Sequence, residues 1–513
     1  MNQKRIGIVL TYLQLGITLL SGLVYTPIML RLLGQSEYGL YQLVSGVVGY
    51  LGLLNFGFAS SYLRFYSRFH SIGDEQGVCG LNGLFMTVFL TISVVVLLCG
   101  GVILSNMNAI FADGLTETEY PTATVLMALM VLNLALSFPN SVFTCWTTAQ
   151  EQFVFQRALT LMSALLNPFI TLPLLLLGYG SIAMVLVSTG TTVASLAANI
   201  WFCLTRLGMR FRFRHLDWGL FREVFAFTFF VFLNQVIDQV NWNVDRLLLG
   251  RLRGTAEVAV YAVGTQINSI YTSLSTAVSS VFAPQVNMVV ARGGEGADDE
   301  LTDVMIRVGR VQLLVLALIL TGFIFFGKPF VLLWGGPEYS DSWLVAITVM
   351  VPILVPLIQN VGIEIQRAKN KHQVRSVVYF CIAVLNVTVS IPLIRTYGPV
   401  GGALGTALGL VLGQIIFMNW YYAHGLGLNM AKFWTSIARM LPGLIVSCVF
   451  GALLAILVPI KGWMGFGTCA LIYGVIYAIS MWLWGMDDYE RRLVGVPVRR
   501  ALRRLPGMGD SNE

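Results

Sequence analysis

The stretch Phe221–Gly250, FREVFAFTFFVFLNQVIDQVNWNVDRLLLG, is apolar enough to enter a bilayer and yet carries a concentrated run of polar side chains. Asn234, Asp238, Asn241 and Asp245 recur at i, i+4, i+7 and i+11, the spacing that lines one face of a helix, with Gln235, Gln239, Trp242 and Arg246 beside them. At about 1.5 Å per residue such a segment spans roughly 45 Å, so Asp238 falls well inside a hydrocarbon layer roughly 30 Å thick. A charge there costs on the order of 3 kcal/mol, whereas each Leu, Ile, Phe or Val returns only about 0.5 kcal/mol. Asp238, Asp245 and Arg246 therefore nearly cancel the apolar gain, and a helix so composed faces a bundle interior or a water-filled cavity rather than lipid. The stripe reads as a cavity wall; the bland alternative is pairing of the same side chains across packed helices.

The rest of the chain agrees with a membrane setting. Hydrophobic residues make up 56% of its 513 positions and charged residues 11%, against about 25% charged in soluble domains. Seven cysteines (Cys79, Cys99, Cys145, Cys203, Cys381, Cys448, Cys469) lack C-x-x-C spacing and sit mostly in apolar runs, as small packing residues do. The apolar run from Ile6 to Leu30 is too long for a signal-peptide core and has no A-x-A cleavage site, so it is expected to be the first spanning helix.

Counting apolar runs predicts an all-α polytopic protein of fourteen helices: 6–30, 38–62, 81–105, 121–143, 155–177, 181–204, 221–250, 257–290, 306–328, 341–366, 374–395, 399–423, 435–459 and 463–484. An even number puts both termini on one side. Arg31, Arg246, Arg251, Arg253, Lys328, Arg395 and Lys461 fall on the opposite side, and the other 25 of the 32 Lys and Arg fall with the termini, which are therefore expected in the cytoplasm. Asp113, Glu117 and Glu119 then lie in an outside loop. The net charge of +7 reflects this topology and anionic headgroups, and no nucleic-acid partner is expected.

Two sets of six helices repeat at a nearly constant offset. Ala149, Asn167 and Pro173 match Ala368, Asn386 and Pro392 at 219. Gly180 in GYGSIA matches Gly398 in TYGPVG at 218, and Glu37 to Tyr41, after LLG, answers Glu257 to Tyr261 at 220. An even helix count per repeat makes the halves parallel about an axis along the membrane normal, the architecture of alternating-access transporters with a site near the midplane. The expected organisation is an N-lobe at 1–205, a basic cytoplasmic linker at 206–220, a C-lobe at 221–424, extra helices thirteen and fourteen at 425–486 and a basic tail at 487–513. The linker carries Arg206, Arg210, Arg212 and Arg214 among aromatics. The acidic run Gly293–Asp303 reads as a solvated turn. Arg491, Arg492, Arg499, Arg500, Arg503 and Arg504 in the tail suit a surface helix on anionic lipid.

The segments PIMLRLLGQSEYGLYQLVSG (27–46) and GLLNFGFASSYLRFYSRF (52–69) resemble the start of bacterial polysaccharide flippases of the Wzx type, whose superfamily also holds multidrug and toxic compound extruders and lipid II flippases. NVDRLLLGRLRGTAEVAVYAVGTQI (243–267) is similar to the start of that family's second lobe. Many relatives carry an aspartate in the second helix where this chain has Asn55. The resemblance implies two six-helix lobes around a central cavity, an undecaprenyl-linked oligosaccharide as substrate, and flipping toward the outer face of the bacterial cytoplasmic membrane. It also implies membrane lipids and other polysaccharide-assembly proteins as partners, and a monomer as the working unit.

A flippase must pass a hydrated, anionic sugar-pyrophosphate through a layer that excludes it, which requires cationic and hydrogen-bonding groups in a polar lumen. Arg31, Arg64 and Arg246 are the candidates for phosphate or acidic sugar, and Asn234, Gln235, Asn241 and Trp242 for sugar hydroxyls and a ring face. End-of-helix snorkelling accounts equally well for Arg31 and Arg64. Glu37, six residues after Arg31, is the candidate outer gate. Asp238 and Asp245 are the candidates for coupling to Na+ or H+, or for neutralising Arg246; no other cofactor is expected. Pro168, Pro173, Pro352 and Pro356 interrupt spanning segments and allow kinks. Gly322–Lys328, GFIFFGK, mimics a phosphate-binding loop but ends in Pro329 within a membrane helix. The four histidines, His70, His215, His372 and His424, fall at predicted cytoplasmic ends, which argues against a metal cluster. Short outer loops and the lack of a metal-binding D-x-D argue against a glycosyltransferase or polymerase, so no enzyme is expected. The alternative function is an ion-coupled extruder of drugs or organic cations, held by Asp238 and Asp245.

Overall fold

The structure, a computed structural model, describes residues 3–111, 114–214, 218–279, 282–294, 296–371 and 373–493. Asp113, His215, His372 and the tail arginines Arg499, Arg500, Arg503 and Arg504 lie outside the described residues. Among the described residues every regular element is a helix. In chain order these are α1 (Gln3–Leu51), α2 (Phe58–Ser71), α3 (Glu75–Ser105), α4 (Met107–Phe111), α5 (Glu119–Ala149), α6 (Phe153–Leu176) and α7 (Gly180–Trp201). Then follow α8 (Trp218–Leu252), α9 (Thr255–Ser279), α10 (Ala283–Arg292), α11 (Ala297–Trp334), α12 (Ser342–Ile358) and α13 (Asn360–Ala368). The last six are α14 (Gln373–Tyr397), α15 (Pro399–Gly409), α16 (Met418–His424), α17 (Met430–Ala438), α18 (Leu441–Leu457) and α19 (Gly462–Ser480).

Eleven helices among the described residues are long and apolar enough to cross a membrane, or twelve if the bent pair α17 and α18 is one span. Among the described residues the expected stretches fall largely on helix, and the difference has local causes. The stretches 6–30 and 38–62 share α1, which runs on through Gly34 in a non-helical conformation (φ 75°, ψ 172°) before breaking at Gly52–Asn55. The stretch 257–290 is divided between α9 and the ten-residue α10. The run expected as a solvated turn is helical from Ala297, because Asp298, Asp299 and Glu300 suit the positive end of the α11 dipole. Pro168 and Pro173 lie inside α6, and Pro352 and Pro356 inside α12.

The helices form two compact units: Met1–Val263 with Ala383–Thr406, and Gly264–Ile382 with Ala407–Glu513. In the first, one group of polar side chains within apolar helices satisfies itself, as a setting without water favours. Asn199 donates to Asn140 (2.9 Å) and accepts from Gln156 (2.9 Å), which also reaches Thr147 (2.6 Å), joining α5, α6 and α7. After α7 the chain forms a strap along α3. Arg212 N donates to Cys79 O (3.0 Å), and buried Asn82 donates to Arg210 O (3.0 Å) while accepting from Tyr62 (2.5 Å). Alternation in RFRFR lets Phe211 and Phe213 stack at 5.8 Å while the arginines stay exposed.

In the second unit, Arg310 of α11 is 4% exposed and is enclosed by the segment that follows α19. Its Nε and Nη2 donate to Glu490 at 2.6 and 2.9 Å, and its Nη1 and Nη2 to Ser436 O and Gly485 O at 2.6 and 3.0 Å. Glu490 is itself aimed by a reciprocal cap: its N–H donates to Asp487 Oδ1 (3.0 Å), and Asp487 N donates to Glu490 Oε2 (2.9 Å).

Candidate functional site

Helix α8 carries the polar stripe and packs against α1 through small residues of both. A Cβ at Gly46 would lie 3.9 Å from Arg246 Cβ, one at Gly49 would lie 2.7 Å from Gln239 Nε2, and one at Gly250 would lie 2.4 Å from the Leu43 side chain. These near-contacts set long polar side chains beside backbone without intervening bulk. The break at Gly52–Asn55 continues through left-handed Phe56 (φ 49°) and Gly57 (φ 69°), where a Cβ would meet Val231 at 2.5 Å and Gln235 Nε2 at 3.6 Å. Asn55 therefore stands beside the stripe, with its Oδ1 buried and lacking a hydrogen-bond partner.

The stripe divides along its length. Asn234 and Asp238 are exposed and Trp242 is 40% exposed, whereas Asn241 is buried and Asp245 is wholly so. Gln235 and Arg246 are half-buried, and Arg31 on α1 and Arg64 on α2 are exposed. Glu37, the expected gate, accepts from the Ser181 N–H (2.6 Å) and hydroxyl (2.8 Å), so its carboxylate caps the start of α7. Its repeat partner, Glu257, lies close to Gly398 just before α15, which opens on Pro399. A Cβ at Gly180 (φ 60°) would lie 2.3 Å from Glu37, and one at Gly398 (φ 58°) would lie 2.5 Å from Glu257, so both positions need glycine for space and for backbone conformation.

Around Asp245 the structure assembles residues that sequence reasoning did not bring together. Its Oδ2 accepts from Tyr261 (2.9 Å) and Thr406 (2.8 Å), while Oδ1 is buried without a hydrogen-bond partner. Asn386 donates to Asn241 O (3.2 Å) and to Thr406 (3.3 Å) and accepts from Ser390 (2.7 Å). The close approach is made by glycines: a Cβ at Gly405 would lie 2.1 Å from Ser390 Oγ, and one at Gly402 would lie 3.4 Å from the Asp245 side chain. A buried carboxylate costs several kcal/mol unless neutralised, and the donors here are neutral hydroxyls. The oxygens of Asp245, Asn386, Ser390, Thr406 and the Asn241 carbonyl are hard ligands, the set that suits a proton or an alkali cation rather than a soft metal. Among the described residues no group of three or more His, Cys, Asp or Glu is placed to hold a metal ion. The missed residues left a faint signal: Asn386 and Ser390 stand at i and i+4, and Asn386 is a repeat match of Asn167.

A family model described as polysaccharide biosynthesis protein matches residues 5–289. The uncharacterized membrane protein EpsK of Bacillus subtilis (strain 168) is 20% identical over 490 residues, which cover 91% of this chain and 93% of EpsK. Among solved structures, the inward closed conformation of the lipid II flippase MurJ matches with a TM-score of 0.74 at 13% identity, covering 95% of this chain and 99% of MurJ. An inward-facing multidrug resistance MATE family transporter of the MOP superfamily matches with a TM-score of 0.57 at 13% identity, over 79% of this chain and 96% of that one. The fold is that of the MurJ and MATE proteins.

Proposed function

The chain belongs to the polysaccharide biosynthesis protein family, and from that premise we propose that it is a flippase carrying an undecaprenyl-linked oligosaccharide from the inner to the outer leaflet of the bacterial cytoplasmic membrane by alternating access. The observation that carries this reading is the family match over residues 5–289 on a multi-pass helical fold of the MurJ type. The chain works as a monomer with cytoplasmic termini, takes the lipid-linked sugar and membrane lipids as partners, and hands its cargo to other polysaccharide-assembly proteins. Its lobes are 1–205 and 221–424. Exposed Asn234 and Trp242, with Gln235 and Asn241, take sugar hydroxyls and a ring face; Arg31, Arg64 and Arg246 take the phosphates. Asp245 in its oxygen-lined pocket exchanges Na+ or H+ as the coupling ion, with exposed Asp238 on the same stripe as the entry point.

The test is translocation of a fluorescent undecaprenyl-pyrophosphate sugar in proteoliposomes, comparing wild type, Arg246→Ala and Trp242→Ala at matched insertion. Translocation by the wild type that falls about tenfold or more in the variants, the loss of one charge-assisted or stacking contact, supports the reading. The specific observation favouring an extruder is Asp238, an exposed carboxylate on a MATE-like fold. Organic-cation flux that depends on Asp238, with no lipid-sugar movement, would replace the flippase with that reading.

A further inference from the structure

At the end of the first unit away from the N-terminus, the opening turn of the second repeat lies against the corresponding turn of the first. Gln35 Nε2 donates to Ala256 O (3.3 Å), and the hydroxyls of Ser36 and Thr255 are 3.3 Å apart. The backbones touch because Gly39 has no side chain: a Cβ there would lie 1.8 Å from Thr255 O and 3.2 Å from Ala259 N. A second close approach flanks the first, since a Cβ at Gly114 would lie 1.9 Å from Gly250 O. One carboxylate spans this seam. Oε1 of Glu119 accepts from both the Ser36 hydroxyl and the Thr255 hydroxyl (2.7 Å), taking one bond from each repeat. Its other oxygen is fastened to its own loop by Thr116 N and Thr116 Oγ1, both at 2.9 Å.

We propose that Glu119 is the latch of a gate at this seam: its carboxylate ties Ser36 of the first repeat to Thr255 of the second and holds the seam shut. The seam is built to close dry and to part cleanly. Backbones meet there at Gly39 and Gly114, and of the side-chain hydrogen bonds across the seam the two at Oε1 are the charge-assisted ones, the stronger kind. Because Oε2 stays with Thr116, the carboxylate remains in place when the seam opens and is ready to recapture both hydroxyls. The inference rests on the transport reading only in taking the seam as a moving gate.

The experiment therefore uses no substrate, so its failure leaves the flippase reading untouched. In a background with the seven cysteines replaced, a single cysteine at Ala259, which is fully buried at the seam, reports opening through its labelling rate by a membrane-impermeant maleimide in proteoliposomes. A second reporter at Ala183 in α7, 3% exposed, reports general loosening. Glu119→Ala is expected to raise labelling at position 259 about tenfold, the population shift that follows loss of charge-assisted bonds, and to leave position 183 unchanged. Glu119→Gln, which keeps an acceptor oxygen, falls between. Unchanged labelling at 259, or an equal rise at both reporters, overturns the latch. Should Glu119→Ala not fold, Ser36→Ala and Thr255→Val each remove one hydroxyl from the bridge; the latch requires each to raise labelling at 259, and two silent variants overturn it.

Discussion

Asp245 and Asn386 are 141 positions apart in the chain yet belong to one hydrogen-bonded cluster. The carboxylate is legible from the i, i+4, i+7, i+11 spacing of the stripe, whereas its neighbours are not: Tyr261, Ser390 and Thr406 are ordinary residues of apolar helices, and no periodicity connects three separate helices. Asn386 carries a repeat match, and only folding gives it a partner. Replacing the carboxylate by an amide keeps its shape and removes the charge that a coupling ion must meet. Asp245→Asn is expected to lower transport driven by an imposed Na+ or proton gradient by about tenfold or more, without lowering the melting temperature of the detergent-purified protein. Equal gradient-driven rates in the two proteins would take Asp245 out of coupling.

At the scale of the element, the helices themselves were legible, because twenty apolar residues in succession admit little else in a bilayer. Less legible were the points where two predicted spans share one helix, as at Gly34, since a glycine can end a helix or merely bend it. The strap after α7 reads in sequence only as a basic linker. Its backbone contacts to Cys79 and Asn82 come from the absence of a side chain at Gly83, where a Cβ would lie 2.0 Å from Arg212 O. Gly83→Val forces the strap off α3 and strands the Asn82 amide, so a loss of about 1–3 kcal/mol is expected. Gly80→Ala, with nothing within 4 Å of its Cβ, is the neighbouring control. Thermal unfolding followed by size exclusion separates the two; equal melting temperatures would show that the strap is not held there.

For the whole molecule, the glutamates and glycines matched in sequence at offsets of 220 and 218 meet in pairs, Glu37 with Gly180 and Glu257 with Gly398. The Arg310 and Glu490 pair has no repeat counterpart to announce it, and an arginine within an apolar run gives no hint of which distant acid answers it. Glu490→Ala leaves the buried Arg310 guanidinium with only the half-exposed Asp487 carboxylate, 3.4 Å from its Nε, and should cost on the order of 3 kcal/mol, while the double change Arg310→Met with Glu490→Leu should recover most of that loss. A denaturation series on the three proteins decides it; a double variant no better than Glu490→Ala would mean that the charges are not the cause. The pair also orders events during synthesis. Arg310 leaves the ribosome 180 residues before Glu490, which at about 5–20 residues per second is a wait of roughly 10–40 s. Throughout that interval Arg310 waits for its carboxylates, so the second unit closes around this arginine only after the segment that follows α19 has been made.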